Sequence, residues 1–221
     1  MRVNGMRRLL VVNPNTSASV TALLQQHVQA EVGPGLAVQG VTARFGAPYI
    51  ADEATYAVAA HAALDAWSAA LAEPGARYDA VLVGCFGDPG LLALRESSTV
   101  PVSGLAEASF AEAARLGRFA VVTGGMAWDP MLRRLAQALG YGEALAGVRT
   151  VAPTGAQLAA DPAGARQLLA AACRDAARDF GARCVIVGGA GLAGFAAALQ
   201  PGLDVPLVDS VLAGARWATR A

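Results

Sequence analysis

Val81 to Gly90 reads VLVGCFGDPG, and the reading of this stretch decides how the rest of the chain is organised. The apolar run from Ala80 to Val83 breaks at Gly84 and hands Cys85 to a turn, the pattern of a buried strand reaching its carboxyl end. Asp88 and Pro89 follow as a helix N-cap and first-turn pair ahead of the helical stretch Leu91 to Arg95. On that reading Cys85 stands just outside a helix N-terminus, where unpaired N–H groups and the positive end of the dipole favour a thiolate or a developing anion. Free cysteine is also one of the most frequently buried residue types. The local context therefore supports both a reactive thiol and a small packing residue.

Upstream, Leu9 to Val12 reads as a first buried strand, with NPNTS (Asn13 to Ser17) as its exit loop. Thr16 or Ser17 can cap a helix that runs to about Val32. Leu36 to Ala43 reads as a second strand, and FGAPYIADEAT feeds a long Ala-rich helix ending near Leu71. Downstream of Cys85 come a short strand around Val100 to Ser103 and a helix from Glu107 to Leu116. This alternation predicts an α/β fold with mostly parallel sheet and helices on both faces.

The second half repeats the first. FAVVTGG (Phe119 to Gly125) matches LLVVNPN (Leu9 to Asn15), RCVIVGGAG (Arg183 to Gly191) matches DAVLVGCFG (Asp79 to Gly87), and DVPLVDS (Asp204 to Ser210) matches TVPVSGL (Thr99 to Leu105). Matches in one order at nearly one offset predict an internal duplication. The expected lobes are residues 1–104 together with the C-terminal helix, and residues 105–210. Equivalent strand ends in two such lobes open on a shared cleft, the usual ligand position in these sheets, and Cys85 would face Gly189 across it.

Composition narrows the function classes. Basic and acidic residues balance at 17 each in 221 residues, which gives no electrostatic footprint for nucleic acid. Three cysteines describe neither a disulfide framework nor a zinc site, so a reducing, cytoplasmic setting is expected. The run from Leu9 to Val12 is too short for a signal sequence or a membrane span. The two histidines, His27 and His61, lie on helical stretches; His61 and Asp65 could pair at i, i+4, but two ligands without a third make no metal site. Arg133, Arg134, Arg174 and Arg178 read as a solvated face.

NPNTS, GCFGDPG, the following VPVSGLAEAS and the later GGAGLAG together resemble the aspartate/glutamate/hydantoin racemase superfamily, in particular its hydantoin and allantoin racemase branch. The resemblance runs from Met6 almost to the C-terminus. It implies two pseudo-symmetric α/β lobes, no cofactor, a small carbonyl or carboxylate substrate, and proton transfer next to a carbonyl by two facing cysteines, the first corresponding to Cys85. Neither nucleic acid nor membrane is implied as a partner, and a homo-oligomer is compatible with the resemblance.

The second cysteine of that pattern is absent. Gly189 occupies the thiol position of a G-C-A-G-M-A type motif, which here reads Gly188, Gly189, Ala190, Gly191, Leu192, Ala193. Cys184 sits at the start of the same strand, roughly 16 Å of extended chain away, and Cys173 falls in an Ala-rich helix. With one thiol, racemisation competes with two other reactions known in the superfamily, arylmalonate decarboxylation and maleate cis-trans isomerisation, and with a non-catalytic ligand-binding role. A Gly189→Cys substitution should rebuild the thiol pair if the glycine backbone accepts a side chain.

An enolate needs donors aimed at its oxygens. The strand-end turns can supply backbone N–H groups from Phe86, Gly87, Gly124 and Ala190, with side-chain donors from Asn13, Asn15 and Thr123. Ordinary turn chemistry accounts equally well for Asn15. A competing motif also stands in the sequence: Gly189, Gly191 and Gly194 spell G-x-G-x-x-G, with Asp209 at the end of the next strand, a dinucleotide fingerprint on paper. The short, Pro-interrupted helix after it and the lack of further strands argue against that use.

Overall fold

A computed structural model describes residues 6–220 of the chain. Strands β1 (Arg7–Asn13), β2 (Leu36–Thr42), β3 (Ala80–Val83) and β4 (Val102–Gly104) form one parallel sheet in the order β2-β1-β3-β4. Strands β5 (Phe119–Gly124), β6 (Leu145–Val151), β7 (Cys184–Gly188) and β8 (Leu207–Asp209) form a second in the order β6-β5-β7-β8, also parallel. The register repeats from one sheet to the other. Leu9 pairs with Ala80 as Phe119 pairs with Cys184, and Val83 pairs with Gly104 as Val187 pairs with Asp209. Cys85 and Gly189 are therefore equivalent positions, and so are Gly104 and Asp209.

Alternation along the strands builds three cores. Leu9, Val11, Leu82, Phe119, Val121 and Ile186 point into one cluster shared by both sheets. Leu10, Val12, Val81 and Val83 face an outer cluster under helix α2 (Glu53–Ala72) and α3 (Leu91–Ser97); Ala120, Val122, Val185 and Val187 face another under α7 (Pro162–Phe180). Full burial of each such Leu or Val is worth about 1.5–3 kcal/mol, and a two-sided sheet gathers that gain on both faces.

Helix starts follow local chemistry. Ser17 caps α1 (Ala18–Val32) by accepting from the Val20 N–H, and Asp52 caps α2 in a reciprocal box with Thr55. After β4 the chain enters α4 (Leu105–Ala114), whose Phe110 stacks on Phe119 of β5 at 5.5 Å. After β8 it enters α9 (Ser210–Ala218), which packs against α1, α4 and strands β3 and β4. The remaining helices are α5 (Trp128–Ala138), α6 (Gly155–Ala160) and the five-residue α8 (Phe195–Leu199).

The turn after Cys85 departs from the expectation drawn from its sequence. Asp88 does not cap the helix that follows it. That helix, α3, begins after Gly90, whose φ is +81°, and has no side-chain cap. Asp88 itself takes φ +52° and sends its carboxylate to the start of α4, accepting from the N–H groups of Ala106 at 2.9 Å and Glu107 at 2.8 Å. Local N-cap preference loses here because a carboxylate two bonds from the backbone reaches a better pair of unpaired donors on a neighbouring helix.

Candidate active site

Cys85 lies just past the end of β3, where the Gly84 N–H donates to Val12 O at 2.7 Å and ties off the strand. Gly189 lies just past the end of β7. Both line one cavity between the lobes, which holds about 390 Å³ of atom-free space including its open mouth. Its polar wall is Asn15, Tyr49, Cys85 and Thr123; its apolar wall is Val20, Ile50, Phe86 and Trp128; the backbone of Gly189, Ala190 and Gly191 closes it. Roomier hollows lie on the outer surface, one of about 880 Å³ by the same measure beside β2 and the end of α2. That hollow contains no cysteine and draws on one lobe alone, so the chemistry belongs to the smaller cavity.

Only some of the expected donors reach this cavity. Asn13 is fully buried and spends its Nδ2 on Asn15 Oδ1 (2.9 Å), Ser17 O (3.1 Å) and Thr21 Oγ1 (3.0 Å), while its Oδ1 accepts from the Asn15 N–H. It holds the loop rather than the cavity wall. Asn15 gives its Oδ1 to Asn13 and to the Ser17 N–H and keeps Nδ2 without a protein partner among the described residues. Thr123, at the tip of β5, likewise has a hydroxyl with no protein partner there. Gly124 ends β5 opposite Val151 and does not line the cavity; Gly87 gives its carbonyl to the Tyr56 hydroxyl at 2.8 Å and packs on Trp128. Phe86 crosses to the second lobe, where its ring lies against Gly188 so closely that any Cβ there would collide with it.

The thiol is held protonated. Burial pushes Cys85 up, and the nearby Asp88 adds to the effect, so the expected helix-dipole activation is outweighed: the helix that follows starts too far away, beyond Gly90. Burial also raises Asp88 to about 7, against the pull of the Ala106 and Glu107 N–H groups. Cys184 is buried in the shared core and Cys173 in the outer one. Burial raises each to about 12, and neither touches the cavity.

Gly189 has φ +149° and ψ 132°, a conformation that L side chains rarely adopt, with its N–H donated to Ser210 Oγ at 3.1 Å. The expectation that a cysteine here would rebuild the pair does not meet its own condition. The dinucleotide fingerprint also dissolves: Asp209 spends its carboxylate on the N–H groups of Val211, Leu212 and Gly194, and no long helix follows the glycines.

Sequence reasoning missed Tyr49, Ile50, Val20 and Trp128. Tyr49 and Ile50 lie in the loop after β2, which leaves the sheet from the same edge as NPNTS because the strands are parallel, and this was the available signal. Among the described residues no cluster of His, Cys, Asp and Glu could hold a metal ion, and no helix is long and apolar enough to cross a membrane.

Two parallel-sheet lobes of like topology, with the ends of β3 and β7 at one cavity beside a buried thiol, define a two-lobed α/β protein of the racemase type. The family model for Asp/Glu/hydantoin racemase matches residues 9–218, and the chain belongs to that family. It is 30% identical over 212 residues to a hydantoin racemase from Paenarthrobacter aurescens, covering 96% of this chain and 89% of that one. Among solved structures, an allantoin racemase from Pseudomonas fluorescens superimposes with a TM-score of 0.91 at 30% identity, covering 96% and 89% of the two chains. An allantoin racemase from Klebsiella pneumoniae gives 0.88 at 31% identity, covering 97% and 86%.

Proposed function

We propose that this enzyme moves a proton at the carbon next to a carbonyl in a small cyclic ureide or amino-acid derivative of the hydantoin or allantoin kind, with Cys85 as acid and base. The observation that carries this reading is the buried thiol at a strand tip lining a cavity between equivalent lobes. Asn15 Nδ2, the Thr123 hydroxyl and the N–H groups of Phe86 and Ala190 are the donors this reading assigns to the enolate oxygen, supported by the place of these residues in the cavity wall, and fixed donors in a buried site are worth more than in water. No step of this chemistry calls for a cofactor. The buried thiol rests in the form that returns a proton to an enolate; acting as a base requires bound substrate to change its surroundings.

Gly189 favours a second reading. With no side chain at the equivalent tip, a lone thiol could deliver a proton to one face of an enediolate left by decarboxylation. A panel of single-enantiomer hydantoins, allantoin, amino acids and malonates in deuterated water decides between them. The first reading expects α-deuterium incorporation into a hydantoin or allantoin; carbon dioxide release from a malonate without such exchange would replace it with the second. Binding without either reaction would make the protein a non-catalytic relative.

A further inference from the structure

We propose that Tyr49 is the second proton-transfer residue of this site, acting on the substrate face opposite Cys85 in place of the absent thiol. The inference rests on the reading of Cys85 as the first such group. Among the residues lining the cavity, Cys85 and Tyr49 are the two with titratable side chains. A reaction that removes a proton from one face of a carbon and returns one to the other needs two such groups.

Position supports the pairing. Tyr49 springs from the first lobe, in the loop between β2 and α2, but its hydroxyl oxygen rests on the second lobe over Gly155, where any Cβ would collide with it. Gly155 in turn abuts Gly124 at the tip of β5, and β5 pairs with β7, whose tip carries Gly189. The phenol oxygen therefore stands on the second-sheet wall, and Cys85 stands on the first-sheet wall. The Gly155 N–H lies against the phenol oxygen and favours its ionised form, while burial and Cys85 push it up to about 12. The phenol hydrogen has no protein acceptor among the described residues. Tyr56, the other half-buried tyrosine nearby, is by contrast committed to Gly87 O at 2.8 Å.

The step balances without a co-reactant. In one direction Cys85, its thiol proton released to solvent as substrate binds, takes the α-proton as the thiolate, the C–H electron pair moves toward the carbonyl oxygen, and the Tyr49 O–H gives its proton to the opposite face of the carbon, leaving a phenolate. In the other direction the phenolate is the base and the thiol the acid. Burial shifts thiol and phenol the same way, toward their protonated forms, so either can serve as the acid.

The test follows each enantiomer of a 5-substituted hydantoin and of allantoin separately in deuterated water, reading α-deuterium by NMR and inversion by polarimetry. In Tyr49→Phe, inversion should fall about 100-fold to 10,000-fold. Deuterium should still enter, with retention, the enantiomer whose proton Cys85 takes, and exchange of the other enantiomer should collapse. Gly155→Ala, which displaces the phenol oxygen and keeps the ring, should give the same asymmetry, and far-ultraviolet circular dichroism checks that both variants fold. Undiminished inversion in Tyr49→Phe, or equal loss of exchange from both enantiomers in both variants, would overturn the proposal and leave the role of Cys85 standing. Full exchange retained in Cys85→Ser would instead overturn the reading of the thiol, and this inference with it.

Discussion

The starts of α4 and α9 occupy equivalent places in the two lobes, and each has a carboxylate over its first turn. At α9 the carboxylate belongs to the N-cap itself: Asp209 accepts from Val211 and Leu212 and extends to Gly194 in the loop after β7. At α4 the N-cap is Gly104, and the space its Cβ would fill is taken by the carboxyl group of Asp88, which arrives from the loop after β3. The same three-dimensional spot is served from opposite ends of the same loop pair. What the two lobes share is where a functional group sits, not which chain position supplies it. The strand tips read the same way: a thiol at Cys85, no side chain at Gly189, and a phenol brought to the second lobe's wall by the first lobe.

The largest test of this asymmetry is at the tips. Cys85→Ser should reduce α-proton exchange about 100-fold to 10,000-fold with little change in thermal unfolding, since the two side chains differ by one atom. The titration of Asp88 gives the next effect. Its folded-state value of about 7 lies above the ordinary carboxylate range, so between roughly pH 4 and pH 7 the folded chain holds a proton that the unfolded chain has lost. Stability should therefore be highest near the acid end of that window, fall by up to about 4 kcal/mol as pH rises through it, and level off above it. Urea unfolding at a series of pH values checks this, and the contribution of Asp88 to the slope should be lost in Asp88→Asn, leaving that of the other shifted carboxylates such as Asp209.

The cap equivalence can be tested directly. Asp88→Ala should destabilise the fold by about 2 kcal/mol through two unsatisfied N–H groups. Adding Gly104→Asp, at a position whose φ of −125° suits any residue, should recover about 1 kcal/mol. A double variant no more stable than Asp88→Ala would show that the two caps are not interchangeable. The smallest effect is expected for Gly189→Cys, which should cost about 1 kcal/mol from backbone strain and bring no gain in inversion; a vigorous racemase from that variant would show that the loop can relax around a second thiol.

Much of this architecture was legible in the chain. The strand at Leu9 to Val12, the break at Gly84 and the near-constant offset between the halves all follow from burial on two sheet faces, a property that each residue expresses in sequence. The destination of Asp88 was not legible, because DPG has the local form of a helix start and only the folded chain brings α4 within reach. The backbone of Gly189 was equally hidden, since glycine is silent about the φ it adopts. Tyr49 was passed over for a different reason: it lies in a loop with no periodicity, and its role depends on a contact with Gly155 far along the chain.

The crossing of α4 and α9 gives the polypeptide an unusual inheritance. A cut after α4, between Leu116 and Gly117, would leave each fragment holding the helix that covers the other's sheet: Phe110 would be parted from Phe119 of β5, and α9 would be severed from β3, β4 and α1. Neither piece could close its own hydrophobic surface, yet the two mixed together would have every contact of the intact chain. That is the geometry of a segment-swapped dimer whose two copies have been joined end to end, and it makes co-refolding of the separate halves a direct probe of how such a chain arose.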